Sequence, residues 1–297
     1  MPELLTSGNS VVFFILLYSV GMKYPVAIMQ GRLSSDSSGR FQFFPHEWES
    51  EFILAREMGF YGIEWICDWQ EMEQDSNPLL LEAQSEQVAQ KARDANIAIT
   101  ALCADWYMKY DLRDAGQSKS DWLDRAIEAT RFTAEKRIVI PLLEKNAPET
   151  KEEERRIVAQ LAASVRLAQE RGAVLAFETE MDVHRLISFI DSFQSDAVGV
   201  NYDIGNCTSY GFDCPSDILA LGHRVRGVHL KDRKRGASAS VMLGSGDADF
   251  AGCLASLRSI GWTGSLTMQA WRTPENYKEE ARQQLAFIQQ LQHNATP

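Results

Sequence analysis

Four short apolar runs end in a side chain that can bind a cation or move a proton: AVLAF runs into Glu178, VGVNY into Asp203, RGV into His229 and SLTM into Gln269. Two carboxylates, an imidazole and a carboxamide suit a divalent ion of the Mn²⁺, Mg²⁺, Co²⁺ or Zn²⁺ kind. The lack of cysteine among them argues against a structural zinc site. Any one of them alone reads more simply as a polar group satisfied inside the fold. Four at matching strand ends read as one site.

Other residues add to that chemistry. Lys231, Arg233 and Arg235 follow the VHL run, and Arg32 follows Gly31; each suits a phosphate or a polarised carbonyl, although surface charge is the ordinary reading of any one. Glu144, Glu180 and Glu64 are further carboxylates for proton transfer. For Glu144 and Glu180 the competing reading is a solvated loop group, and for Glu64, within GIEW, a buried anchor of the lower layers of a barrel. Gly244 and Gly246 precede a helix capped by Asp247 or Asp249, so backbone N–H groups there could cradle a phosphate. Trp65, Trp69, Trp106, Tyr107, Tyr210 and Trp271 lie at or just after strand ends, suited to stacking on the apolar face of a small ligand, and some must simply pack.

The elements that must position these groups alternate along the chain. Strand-like runs occupy 25–30, 62–67, 97–103, 137–142, 173–178, 197–202, 225–230 and 264–269. Helix-like segments follow at 46–58, 79–95, 121–135, 150–171, 183–193, 215–222, 248–260 and 275–292. Eight strands, each with its helix, predict an α/β fold of the (β/α)₈ TIM-barrel type in a single domain, with the site at the C-terminal ends of the strands. Gly59, Asn96, Gly172 and Gly261 stand where left-handed helix ends are expected, on the opposite face.

The 297 residues are 45% hydrophobic and 24% charged, an ordinary globular composition, and the net charge of -11 opposes binding to a phosphate backbone. Nucleic acid is therefore not the expected partner, whereas a small molecule is. Cys67, Cys103, Cys207, Cys214 and Cys253 form no C-x-x-C pair and are expected to be buried, inert thiols in a reducing cytoplasm. VVFFILLY at 11–18 is too short for a membrane span, which needs about 20 residues, and residues 1–10 lack the basic start of a secretory signal. Residues 1–21 are expected to be an extension upstream of a native start at Met22, with 22–297 as the barrel. The competing reading makes the apolar stretch an arm of a homodimer.

The chain resembles the sugar phosphate isomerase/epimerase superfamily, the xylose isomerase-like barrels that include ketose 3-epimerases and endonuclease IV. The resemblance runs over about 24–290. It rests on MQGRLS at 29–34, GIEW at 62–65, IVIPLLE at 138–144, AFETEMD at 176–182, GVNYDIGN at 199–206, VHLKDR at 228–233, LGSGDADF at 243–250 and LTMQAWR at 266–272. It implies metal-assisted isomerisation or epimerisation of a ketose or ketose phosphate. Glu178, Asp203 and His229 fall on the family's metal-ligand positions, and Gln269 replaces a glutamate. In similar epimerases the glutamates at positions 178 and 269 also move the substrate proton, one on each face of the carbon. Gln269 cannot act as a base, and Asn206 stands where many members place a substrate-binding histidine.

The expected catalytic set is therefore Glu178, Lys231 and Glu144, and the expected metal ligands are Glu178, Asp203, His229 and Gln269. The expected substrate contacts are Arg32, Glu64, Asn206, Arg233 and Trp271. Two other readings compete: an endonuclease-like hydrolase, which would need more histidine and carboxylate ligands, and a non-catalytic sugar-binding barrel whose metal site has decayed.

Overall fold

Eight parallel strands close into one barrel: β1 Val26–Met29, β2 Gly62–Ile66, β3 Ala98–Cys103, β4 Arg137–Leu142, β5 Val174–Thr179, β6 Val198–Asp203, β7 Val225–Leu230 and β8 Leu266–Met268. β8 pairs with β1 to complete the ring. This computed structural model describes residues 24–35 and 41–294; the expected extension at 1–21 and start at Met22 lie outside the described residues. β4 and β6 are buried at every position, because one face fills the barrel and the other packs on helices. That double burial is why they read as continuous apolar runs.

The covering helices are α1 Trp48–Met58, α2 Glu82–Asp94, α3 Ser120–Ala129, α4 Lys151–Arg171, α5 Val183–Asp191, α6 Cys214–Leu221, α7 Phe250–Ser259 and α8 Tyr277–Asn294. The main core lies between them and the strands, with Trp65, Phe177, Phe189, Leu257 and Ile288 among its buried members. No helix among the described residues is long and apolar enough to cross a membrane.

The expected left-handed turns are present, with φ of 88° at Gly59, 54° at Asn96, 63° at Gly172 and 73° at Gly261. The longest helix, α4, opens with a reciprocal cap between Thr150 and Glu153. Of the two caps expected for α7, Asp249 is the one used: its carboxylate accepts the Gly252 N–H at 2.8 Å. Asp249→Ala should lower stability by about 1 kcal/mol and the melting temperature by roughly 2–4 °C, without changing activity. Differential scanning calorimetry checks this.

The structure departs from expectation mainly at the top loops. Short helices at Trp69–Glu73 and Ile204–Ser209, and a two-stranded ribbon pairing Asp232–Arg233 with Ser240–Val241, carry no usable periodicity in sequence. The helix expected over 121–135 stops at Ala129 and continues as a 3₁₀ turn to Phe132, where the Thr130 and Thr133 hydroxyls donate to backbone carbonyls.

Candidate active site

Alternation along the strands fixes which residues face inward. On β6, Val198, Val200 and Tyr202 belong to the outer core. Gly199, Asn201 and Asp203 therefore point into the barrel. The β6–β7 register sets Asp203 beside His229, and Glu178 rises from β5 on the other side of β6. As a result Glu178, Asp203 and His229 each place one ligand atom within 4.8 Å of the others, and all three are buried. These are the three residues expected to meet.

A polar axis runs through the barrel beneath them. Arg137 on β4 pairs with Glu135 and, at 3.3 Å, with Glu64 on β2, and it also donates to the Arg226 carbonyl at 3.1 Å. A Cβ at Gly227 would lie 2.2 Å from Asn201 Oδ1 and 2.9 Å from Arg137 Nε, so only glycine leaves room for this guanidinium. Glu64 also accepts the Thr267 hydroxyl at 3.1 Å and His229 Nε2–H at 2.8 Å. That last bond turns Nδ1 of the imidazole toward the top of the barrel, as a buried carboxylate does for metal-ligating histidines.

At the top, the Asn201 and Asn206 carboxamides donate to the two oxygens of Glu178 at 3.0 and 2.9 Å, and the Asn206 backbone N–H donates to Asp203 Oδ1 at 2.8 Å. Asn206 is thus a partner of the carboxylates. His229 Nδ1 lies 3.0 Å from Glu178 Oε2 without forming a hydrogen bond, and Asp203 Oδ2 is likewise buried without one. Burial lowers the imidazole pKa, but Glu64 and Glu178 outweigh it and raise it to about 10. Asp203 is raised, chiefly by burial, with Lys231 opposing. Two buried carboxylates and an imidazole nitrogen gathered within 4.8 Å of one another make a donor set that fits a divalent cation, which would displace the imidazole proton on binding.

Gln269 adjoins this group but turns its carbonyl oxygen to Lys231, whose Nζ donates to it at 2.9 Å and sits 3.8 Å from Asp203 Oδ2. The amide oxygen expected as a fourth ligand is therefore engaged by an ammonium.

Above the cluster opens a cavity of about 560 Å³. Its wall includes Glu178, Lys231, Gln269, Asn206, Arg233 and Glu144, all expected site residues. Three others stand elsewhere. Glu64 is completely buried one layer below, because it precedes the end of β2 by two residues and is enclosed by His229, Arg137 and Thr267. Arg32 is buried behind the wall, donating to the Phe41 carbonyl and, at 2.7 Å, to Gln42 Oε1, so it braces the segment that does line the cavity. Trp271 is half-buried outside the cavity wall, and its carbonyl accepts Gln284 Nε2–H at 3.0 Å.

The turn at Gly244 and Gly246 is not an open phosphate cradle. Its N–H groups, with that of Ala248, donate to the Asp232 carboxylate at 2.9, 2.8 and 3.2 Å. Among the cysteines, all buried and unpaired, only Cys103 reaches the cavity wall; burial, with Asp105 beside it, raises its pKa well above the usual thiol range. Asp105 and Lys109 line the cavity although the sequence reading assigned them no role. Their signal was position, just past the end of β3.

The model of the family described as xylose isomerase-like TIM barrel matches residues 52–291. The L-ribulose-5-phosphate 3-epimerase UlaE of Salmonella paratyphi C is 25% identical over 245 residues, covering 77% of this chain and 84% of the relative. That of Escherichia coli O1:K1 / APEC is 25% identical over 239 residues, 75% of this chain and 82% of the relative. Among solved structures, an L-ribulose 3-epimerase superposes with a TM-score of 0.71 at 18% identity, covering 92% of this chain and 95% of the other. The 3-keto-D-glucoside 4-epimerase from E. coli, in its apo form, gives 0.68 at 18% identity, covering 91% of this chain and 99% of the other. At these identities the superpositions bear on the fold.

Proposed function

Since the chain belongs to the xylose isomerase-like TIM-barrel family, we propose that it is a sugar isomerase or epimerase that removes the proton beside the carbonyl of a ketose or ketose phosphate. The observation that carries this reading is the meeting of Asp203 and His229 with Glu178, which itself lines a cavity of about 560 Å³, a volume suited to one small ligand. The names of the sequence relatives, ketose-phosphate epimerases, support the same class.

Glu178, Asp203 and His229 would hold a divalent cation of the Mn²⁺, Mg²⁺, Co²⁺ or Zn²⁺ kind, which supplies charge stabilisation for the developing enediolate. Glu178 is the base: it reaches the cavity, and Asn201 and Asn206 hold its carboxylate in place. Lys231, also on the wall, polarises the substrate carbonyl. Arg233 faces the same space and meets the far end of the sugar or its phosphate, with Glu144 at the opposite rim. Trp69, Pro141 and Leu143 give the wall an apolar part that excludes water. A multi-ion hydrolase gains no support, because the described residues contain one such ligand cluster. Five buried, unpaired thiols accord with a reducing cytoplasm.

The test is a product screen: ketoses and ketose phosphates are incubated with the protein and Mn²⁺, Co²⁺ or Mg²⁺, then separated by chromatography. Cation-dependent conversion of at least one sugar is expected. No conversion of any, with the cation bound, would refute the reading.

The Lys231–Gln269 contact makes a second expectation specific. Gln269→Glu adds a charge beside the ligand cluster, so Mn²⁺ should bind about tenfold more tightly, a gain of roughly 1.4 kcal/mol, with Lys231 offsetting part of the added charge. Isothermal titration measures this, and equal or weaker binding would remove position 269 from the ion's surroundings.

A further inference from the structure

The proposed reaction assigns no role to Glu51 of α1, yet this carboxylate is only 1% exposed and lies where α1 meets the segment after β1. It accepts the Gly31 N–H at 2.9 and 3.0 Å and the Leu33 N–H at 2.9 Å. The turn it grips needs glycine at its first position: Gly31 has a φ of 84°, and a Cβ there would lie 2.9 Å from the Phe43 carbonyl oxygen.

Between the two gripped residues stands Arg32, itself buried. Its guanidinium donates to the Phe41 carbonyl and to Gln42 Oε1, and lies 4.1 Å from the centre of the Phe41 ring. Phe41 and Gln42 line the cavity, and Phe41, which is 42% exposed, also has Lys231 Nζ 4.5 Å from its ring centre. A line of contacts therefore runs from α1 to the cavity: Glu51, the turn at 31–33, Arg32, then Phe41 and Gln42.

Resting on the function proposed above, we infer that Glu51 is a positioning residue: by fixing Arg32 it sets the Phe41 and Gln42 edge of the cavity against which the sugar binds, without touching the substrate. The grip is charge-assisted, and such hydrogen bonds are roughly twice as strong as neutral ones. The charged groups around Glu51 are Arg32, after β1, and Arg272, after β8; Asp105, after β3, faces Arg32 in turn. Burial pushes the Glu51 pKa up to about 7, with the two N–H groups and then the two arginines opposing it. The carboxylate is therefore present above about pH 7 and gives way to the neutral acid, which holds the turn more weakly, below it.

The experiment compares wild type with Glu51→Gln at about pH 6 and about pH 8.5, either side of that value, with Mn²⁺ and a ketose that the product screen shows to be converted. The ratio of the variant's KM to the wild type's removes every titration common to both proteins. It should be about 5 at the higher pH and about 1 at the lower, with kcat and Mn²⁺ affinity little changed. Hydrogen exchange at the Gly31 and Leu33 amides needs no substrate, and at the higher pH it should be about fivefold faster in the variant, with exchange elsewhere unaltered. Arg32→Lys should raise KM while leaving that exchange slow, because it weakens the line beyond the grip. A KM ratio equal at both pH values, or unchanged exchange at those two amides, would overturn the inference. Faster exchange throughout the chain would do the same, by showing a general loss of stability. If no sugar is converted with Mn²⁺ bound, the functional reading fails instead, and the exchange still decides whether Glu51 grips the turn.

Discussion

Glu178→Gln is expected to lower kcat by about two to four orders of magnitude, the usual contribution of a positioned general base. Two losses act together. The variant keeps the shape of the side chain but cannot accept a proton. It also removes one of the two carboxylates that face His229 Nδ1 and Lys231. Asn201 and Asn206 now donate to both oxygens of Glu178, so one of their N–H groups would meet an N–H of the new amide. The ring of hydrogen bonds at the cavity floor would have to rearrange, and Mn²⁺ affinity should fall along with turnover. Steady-state kinetics, with circular dichroism to verify folding, tests this. A loss of less than tenfold would mean that the base lies elsewhere on the cavity wall, with Glu144 and Glu180 the next candidates.

The largest effect on stability is expected one layer lower. Glu64→Leu should cost about 3–5 kcal/mol, because it leaves Arg137, buried at the centre of the barrel, with Glu135 as its remaining carboxylate partner. Urea denaturation measures the loss. Pairing it with Arg137→Met should recover part of it, since removing both charges leaves neither uncompensated. A double variant no more stable than Glu64→Leu would mean that the pair is not the source of the loss.

The pH dependence has a definite sign. Burial alone would raise the Glu64 pKa, but His229 and Arg137 outweigh it and hold it below the usual carboxylate range. A carboxylate lowered by folding contributes stability that is present above its unfolded pKa and is lost as pH falls through the folded value. The wild type should therefore lose stability in acid more steeply than the Glu64→Leu variant.

The barrel and the heart of the candidate site were legible because both rest on periodic signals. Doubly buried strands leave apolar runs, and Glu178, Asp203 and His229 stand at the ends of three of them. Layering was harder to read. Glu64 differs from a cavity residue only in preceding the end of β2 by two positions, a shift that one or two residues of uncertainty in a strand boundary conceals. Side-chain partners were less visible still. Nothing in LGSGDADF says that Asp232 fills its N–H groups, and nothing in LTMQAWR says that Gln269 gives its oxygen to Lys231. These contacts join residues 12–38 positions apart, so they depend on the closed fold. The cavity carboxylates Asp105, Glu144, Glu178 and Glu180 likewise come from the ends of three separate strands, and only the barrel order makes them neighbours.

The central claim is that Glu178, Asp203 and His229 jointly hold a divalent cation beside the cavity that Glu178 lines. Its most direct test is a crystal equilibrated with millimolar Mn²⁺ and measured for anomalous scattering at an energy where manganese contributes. A single dominant peak in contact with the Glu178 and Asp203 carboxylates and with His229 Nδ1 is expected. Empty density at that point, with manganese found only on exposed carboxylates, would contradict the account.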